Sequence, residues 1–274
     1  MLSTSVAAAE APLLQSFPML EGRAAQAWRH QPAFRRPRHF HPEPELNLVL
    51  RGHALIRVGE LRIEAGPGAL LCFQPGQDHE LEYASDDLDL FVLALRPELA
   101  AKISSWPSAH AIQPVKLSTQ ETNQLGNRLA ASSELRDRNA VEGLIADVFE
   151  RMGPRLRQAH VVSRRAMGEL TRDPSASERE LALLARSNPS QVSRLFKRDL
   201  GLRLVEYRAR QRLMHFIDGV DAGQSFTQAA LEAHFGSYAQ CHRVFQRIMR
   251  CAPRDYFAGA RTHVDARLAL DALK

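Results

Sequence analysis

Ser193-Arg194-Leu195-Phe196-Lys197-Arg198 and His242-Arg243-Val244-Phe245-Gln246-Arg247 are one pattern written twice, 49 residues apart. Each copy follows a short Ala-rich helical stretch, 180–185 and then 228–233, and a tight turn. Helix, turn, helix, repeated, is the reading. In the first copy Asn188 is placed to cap the second helix and Pro189 suits its first position. Val192, Leu195 and Phe196 then share one face. Ser190, Ser193, Arg194 and Lys197, spaced i, i+3, i+4, i+7, share the other. That outer face holds what a major-groove helix needs: Arg for guanine, Ser for a base edge or phosphate, Lys for phosphate. The second copy divides the same way, with Ser237 as cap and Cys241, Val244, Phe245 and Ile248 inward. Tyr238, His242 and Gln246 stack outward at i, i+4, i+8, beside Ala239 and Arg243.

The surroundings agree. Breaks at 173–175, 187–189, 201, 219–223, 235–236 and 252–253 cut the chain beyond 161 into about seven helices. Between the two units, 204–218 reads as a spacer helix roughly 22 Å long, which suits two recognition helices about 34 Å apart along DNA. Its Arg208, Arg210 and Arg212 read as a solvated face or as contacts to the DNA backbone. Residues 161–274 carry 19 Lys/Arg against 12 Asp/Glu, whereas 1–160 carry 17 against 19. A basic half joined to a slightly acidic one suits a nucleic-acid-binding domain attached to something else.

Over 161–259 these residues resemble the AraC/XylS family of transcription regulators. The resemblance rests on Asn188-Pro189-Ser190, Ser193-Arg194-Leu195-Phe196-Lys197, Gly201-Leu202, Glu206-Tyr207 and Arg212-Leu213, and then on Phe235, Ser237, Arg243-Val244-Phe245, Pro253 and Tyr256. It implies a bipartite domain that reads one double-stranded DNA operator. Ser190, Ser193 and Arg194, with Tyr238, Ala239, His242 and Arg243, fall on its base-reading positions. It also implies a homodimer, an N-terminal domain that senses a small-molecule or metal effector, and contact with RNA polymerase. The sequence departs from the family at His234 and Arg250, where Gly is usual, at Gln246, where Lys is usual, and at Leu204, a common Pro position.

From about 23 to 95 the texture is short apolar strands, at 46–50, 54–58, 61–63, 69–73 and 88–95, separated by Gly/Pro turns. That pattern predicts a β-sandwich or barrel. His39-x-His41-x-x-x-Glu45, Gly52, Gly68 and Pro75-Gly76-x-x-His79 resemble both signature motifs of the cupins, over about 35–79. The resemblance implies that His39, His41, Glu45 and His79 converge on one divalent ion. Two His at alternate positions of a strand point the same way, and three imidazoles with a carboxylate suit Zn, Ni, Fe or Mn. The same four residues also suit an organic effector. From 118 to 158 the texture is helical: Ser118 and Glu121 form a capping-box pattern. The stripe Val141, Leu144, Ile145, Val148, Phe149, Met152 predicts either a helix packed on its own barrel or a dimer interface.

The expected fold is α+β in two domains: an arm (1–22), a cupin-like sensor barrel (23–115), a helical linker (116–160), a helix-turn-helix domain (161–262) and a tail (263–274). No apolar run approaches the roughly 20 residues of a membrane span. Three cysteines without CxxC spacing suit a reducing cytoplasm. The functional expectation is a regulator rather than an enzyme. The competing class is a cupin metalloenzyme, a dioxygenase or isomerase, carrying an accessory helical domain.

Overall fold

The computed structural model describes residues 14, 15, 17, 19, 22–30, 38–100, 102, 113–132 and 138–260. The expected arm lies mostly outside them, and the expected tail wholly so.

The N-terminal region is two facing antiparallel sheets. Strands β1 (Ala25–Arg29), β2 (Glu45–Arg51), β5 (Ala69–Phe73), β7 (Asp89–Leu95) and β8 (Val115–Lys116) form one, in the order β1-β7-β2-β5-β8. Strands β3 (Ala54–Val58), β4 (Leu61–Ala65) and β6 (His79–Ala84) form the other, in the order β4-β3-β6. The expected strands at 54–58 and 69–73 match in both bounds. β1, β6 and β8 lie outside the expected strands: β8 is two residues long, and the apolar positions of β1 and β6 are mostly Ala or are interleaved with charged residues. Alternation along β2 sends Glu45, Asn47 and Val49 inward, toward the second sheet. Leu46 and Leu48 point outward, onto α2 (Thr119–Ser132) and α3 (Arg138–Met152).

Most of the apolar stripe of α3 is taken up by this packing. Val141, Ile145, Val148 and Phe149 are buried with Leu46, Leu93 and Leu95 of their own barrel. Of the two readings of the stripe, the intrachain one accounts for these four residues. A short helix α1 (Pro97–Ala100) closes the same core. Ser118 Oγ accepts from Glu121 N (3.3 Å) while Glu121 Oε2 accepts from Ser118 N (2.8 Å), the expected capping box.

Among the described residues beyond 160 come seven α-helices: α4 (Val161–Arg172), α5 (Glu178–Leu184), α6 (Pro189–Leu200), α7 (Leu204–Asp221), α8 (Phe226–Glu232), α9 (Tyr238–Met249) and α10 (Pro253–Asp255). Two cores serve them. α4, α5, α6 and the start of α7 enclose Leu170, Leu181, Phe196 and Tyr207. The end of α7 with α8, α9 and α10 encloses Phe216, Phe235, Cys241 and Phe245. α7 is therefore shared, and at 18 residues it is about 27 Å long. Two residues of the barrel side, Leu14 and Phe40, belong to the second of these cores. Among the described residues no helix is long and apolar enough to cross a membrane.

Candidate functional site: recognition helices and a buried histidine cluster

Both recognition helices start where the sequence placed them. Asn188 Oδ1 accepts from Gln191 N (2.9 Å), with Pro189 in the first turn of α6. Ser237 Oγ accepts from Gln240 N (3.2 Å) at the head of α9. Val192, Leu195 and Phe196 are buried, while Ser190, Ser193, Arg194 and Lys197 are exposed. On α9, Cys241 and Phe245 are buried, Val244 and Ile248 are half-buried against the same core, and Ala239 and Arg243 are exposed. Tyr238 departs from a purely outward role: it is half-buried and stacks on Phe226, with ring centroids 5.8 Å apart. His242 lies edge-on to it at 5.9 Å. Lys197 differs from its neighbours too, because its ammonium lies 2.7 Å from the Glu60 carboxylate of the barrel.

The spacer arginines are corrected by the structure. Arg210 is buried, donating to Asp78 Oδ1 (2.5 Å) and Gly76 O (3.2 Å). Arg212 donates to Pro174 O (3.0 Å) and Arg208 is half-buried. These side chains face their own protein, so Arg210 is neither solvated nor directed at DNA.

The second site lies inside the barrel. His39, His41, Glu45 and His79 are all buried, and one ligand atom from each lies within 4.8 Å of the others. Backbone pairing draws in the two histidine segments, with His39 N donating to His79 O (3.0 Å) and His79 N to His39 O (2.9 Å). His41 Nδ1 donates to Glu43 O (2.8 Å) and His79 Nδ1 to Gln77 O (3.1 Å). With those protons on Nδ1, both Nε2 atoms face Glu45 Oε2, at 2.9 and 3.1 Å. Burial pushes the Glu45 carboxyl up, but the adjacent His79 and His41 rings outweigh it and hold the group well below the usual carboxylate range. An ionised carboxylate only accepts, so the gap between it and the two rings calls for positive charge. That charge is a second proton on one ring or on both, or a cation. Two imidazoliums against one carboxylate leave a buried net charge, which is costly, and a single one leaves the other ring's Nε2 lone pair against the carboxylate. Neutral imidazoles are the metal-binding form, and backbone carbonyls on Nδ1 orient ligating rings in this manner. The four residues fit a divalent ion.

Sequence reasoning missed the polar groups beside the cluster. Trp28, Val92 and Asn47 are in register across β1, β7 and β2, so all three face inward with Glu45, one level away. Among the described residues, Asn47 Oδ1 and Trp28 Nε1 have no hydrogen-bond partner, and Trp28 stacks on Phe17, which lies edge-on to His41. A polar residue alternating with Leu46 and Leu48 was the available signal. It also missed Phe40. The period that turns His39 and His41 inward turns Phe40 outward, where it is fully buried among α7 residues beneath the Arg210 guanidinium, 5.3 Å from its ring centroid.

A barrel interior with buried polar groups, joined to two helix-turn-helix units on one shared helix, fits a ligand-responsive DNA-binding regulator. The AraC-like ligand binding domain family matches residues 22–172, more than half of the chain, and a helix-turn-helix domain family matches 181–259. The chain belongs to the AraC family: it is a transcription regulator with a ligand-binding domain and a helix-turn-helix DNA-binding domain. Similar solved structures include ToxT from Vibrio cholerae O395, 12% identical, covering 85% of this chain and 96% of that one, with a TM-score of 0.48. ToxT bound to (E)-4-(8-methylnaphthalen-1-yl)but-3-enoic acid matches at the same identity and TM-score, covering 86% of this chain and 98% of that one. The AraC-like transcriptional activator CuxR is 15% identical, covering 69% of this chain and 72% of that one, with a TM-score of 0.33. No curated protein matches the sequence.

Proposed function

We propose that this regulator reads a double-stranded operator with Ser190, Ser193, Arg194 and Lys197 of α6 and with Tyr238, Ala239, His242 and Arg243 of α9, under control of a divalent metal held by His39, His41, Glu45 and His79. The DNA half of the reading is carried by the solvent-facing side of both capped, amphipathic helices. The metal half is carried by two Nε2 lone pairs converging on one ionised carboxylate. Zn, Ni, Fe or Mn suits that donor set. When bound, the ion supplies a Lewis-acidic docking point for an anionic or chelating effector. An organic effector is favoured separately by Asn47 Oδ1 and Trp28 Nε1, an acceptor and a donor on one interior face.

The protein acts by binding, not catalysis. It works as a homodimer in the cytoplasm, where its three free thiols suit a reducing environment, and it transmits its state to RNA polymerase. The histidine segments are two-faced, which supports control of DNA binding from the barrel. His39, His41 and His79 face the cluster while Phe40 and Asp78 hold α7. A bound group that moves the rings moves their neighbours on the DNA-binding side.

Elemental analysis of tag-free protein beside a His39→Ala/His79→Ala double variant tests the metal. Near-stoichiometric metal in the wild type, lost in the variant, is the expected result. Metal-free wild type leaves the organic effector as the occupant. Turnover of any substrate by the full chain would restore the metalloenzyme alternative.

A further inference from the structure

The barrel does not merely lie beside the first helix-turn-helix unit; it caps the C-terminal end of its recognition helix. The last carbonyls of a helix have no partner within it. Gln77 Nε2 donates to one of them, Leu200 O, at 2.6 Å. Glu60 N donates to the next, Gly201 O, at 3.3 Å. The approach is backbone to backbone. A Cβ on Gly59 would meet Gly201 O at 2.0 Å, and one on Gly201 would meet Val58 O at 2.8 Å. Both glycines have positive φ, +58° and +75°, so the β3–β4 turn and the end of α6 need glycine twice over: for conformation and for room. Gly59 N also donates to Asp78 O, tying this turn to the loop whose Asp78 side chain holds Arg210.

The contact aims Glu60 at Lys197. Both side chains are well exposed, 66% and 47%, so the pair is cheap to break, although the packing beneath it is buried.

We infer that the sensor barrel is a built-in competitor of DNA for the end of α6: Glu60 holds the Lys197 ammonium that a phosphate would otherwise take. The proposal rests on Lys197 being a phosphate contact. An exposed ion pair contributes about 0.2–1 kcal/mol, so relieving it tightens DNA binding about 1.4- to 5-fold. That makes a brake DNA can displace, and one whose seating depends on residues 77 and 78, next to His79.

The test is a double-mutant cycle in the full-length protein with Glu60→Gln, Lys197→Ala and both. Its readout is Kd for a random-sequence duplex of about three helical turns, measured between about 50 and 200 mM salt. The expected result is a 1.4- to 5-fold gain for Glu60→Gln that disappears in the Lys197→Ala background. No gain from Glu60→Gln, or an equal gain in both backgrounds, overturns the competition: in the second case Glu60 only repels DNA at large. If the wild type shows no salt-dependent duplex binding, the DNA-binding reading falls, and the proposal with it.

Discussion

At the scale of single residues, the DNA contacts proposed for the outer face of α6 are of two kinds. Arg194 is exposed and is proposed to read a base edge, so Arg194→Ala is expected to cost about 1–3 kcal/mol and relax specificity at one or two base pairs. Lys197→Ala is expected to weaken binding to all sequences alike and to lower the salt slope by about one. Competition binding against a panel of single-base operator variants separates the roles, and the same loss of discrimination from both changes would contradict them. The departures from the family pattern have a cost that the backbone makes visible. His234 and Arg250 have φ of +61° and +59°, the left-handed region where a side chain is strained. Each ends a helix, so His234→Gly and Arg250→Gly are each expected to stabilise the protein by about 0.5–1 kcal/mol, the relief exceeding glycine's entropy loss. Urea unfolding of each variant measures this. Cys72 and Cys241 are buried, and burial pushes the Cys241 thiol up to about 12. A thiol reagent at pH 8 is therefore expected to spare both in the native protein and to label all three cysteines after denaturation.

At the scale of elements, local signals placed the recognition helices. A cap, a proline and an amphipathic stripe lie within a dozen residues, and the geometry they need is that of one helix. Asn188→Ala removes a bond from the first turn of α6 and is expected to cost about 1 kcal/mol. The contact between the barrel and α7 is another matter. Asp78 is completely buried between Arg210 and Arg38, and those two guanidiniums outweigh burial and keep its carboxyl below the usual range. Asp78→Ala strands buried positive charge, at an expected cost of about 3–5 kcal/mol. Phe40→Ala empties the aromatic plug under the same Arg210, at about 3–5 kcal/mol. Because one guanidinium touches both, the double variant is expected to lose less than the sum of the two. Thermal unfolding with limited proteolysis between barrel and α7 reads this, and full additivity would show that the two contacts are independent.

At the scale of the whole molecule, the barrel, the cluster and the DNA-binding unit form one continuous structure. The segment from Arg38 to His41 touches the cluster on one side and α7 on the other, and the segment from Gly76 to His79 does the same. Much of this architecture was legible without coordinates. The doubled recognition helix and its caps follow from 3.6-residue periodicity, short-range geometry that a sequence carries in full. The four cluster residues were implied by the resemblance to the cupin motifs, since Glu45 and His79 meet across 34 residues of chain. What only the tertiary structure decided is which faces meet. The α3 stripe packs on its own barrel, Arg210 turns from solvent to Asp78, and Gly59 lies against Gly201. Each of these joins segments far apart in the chain, and periodicity states that a face is apolar or charged without naming its partner. The pairing depends on how the sheets close and where α7 runs, which is a property of the folded whole.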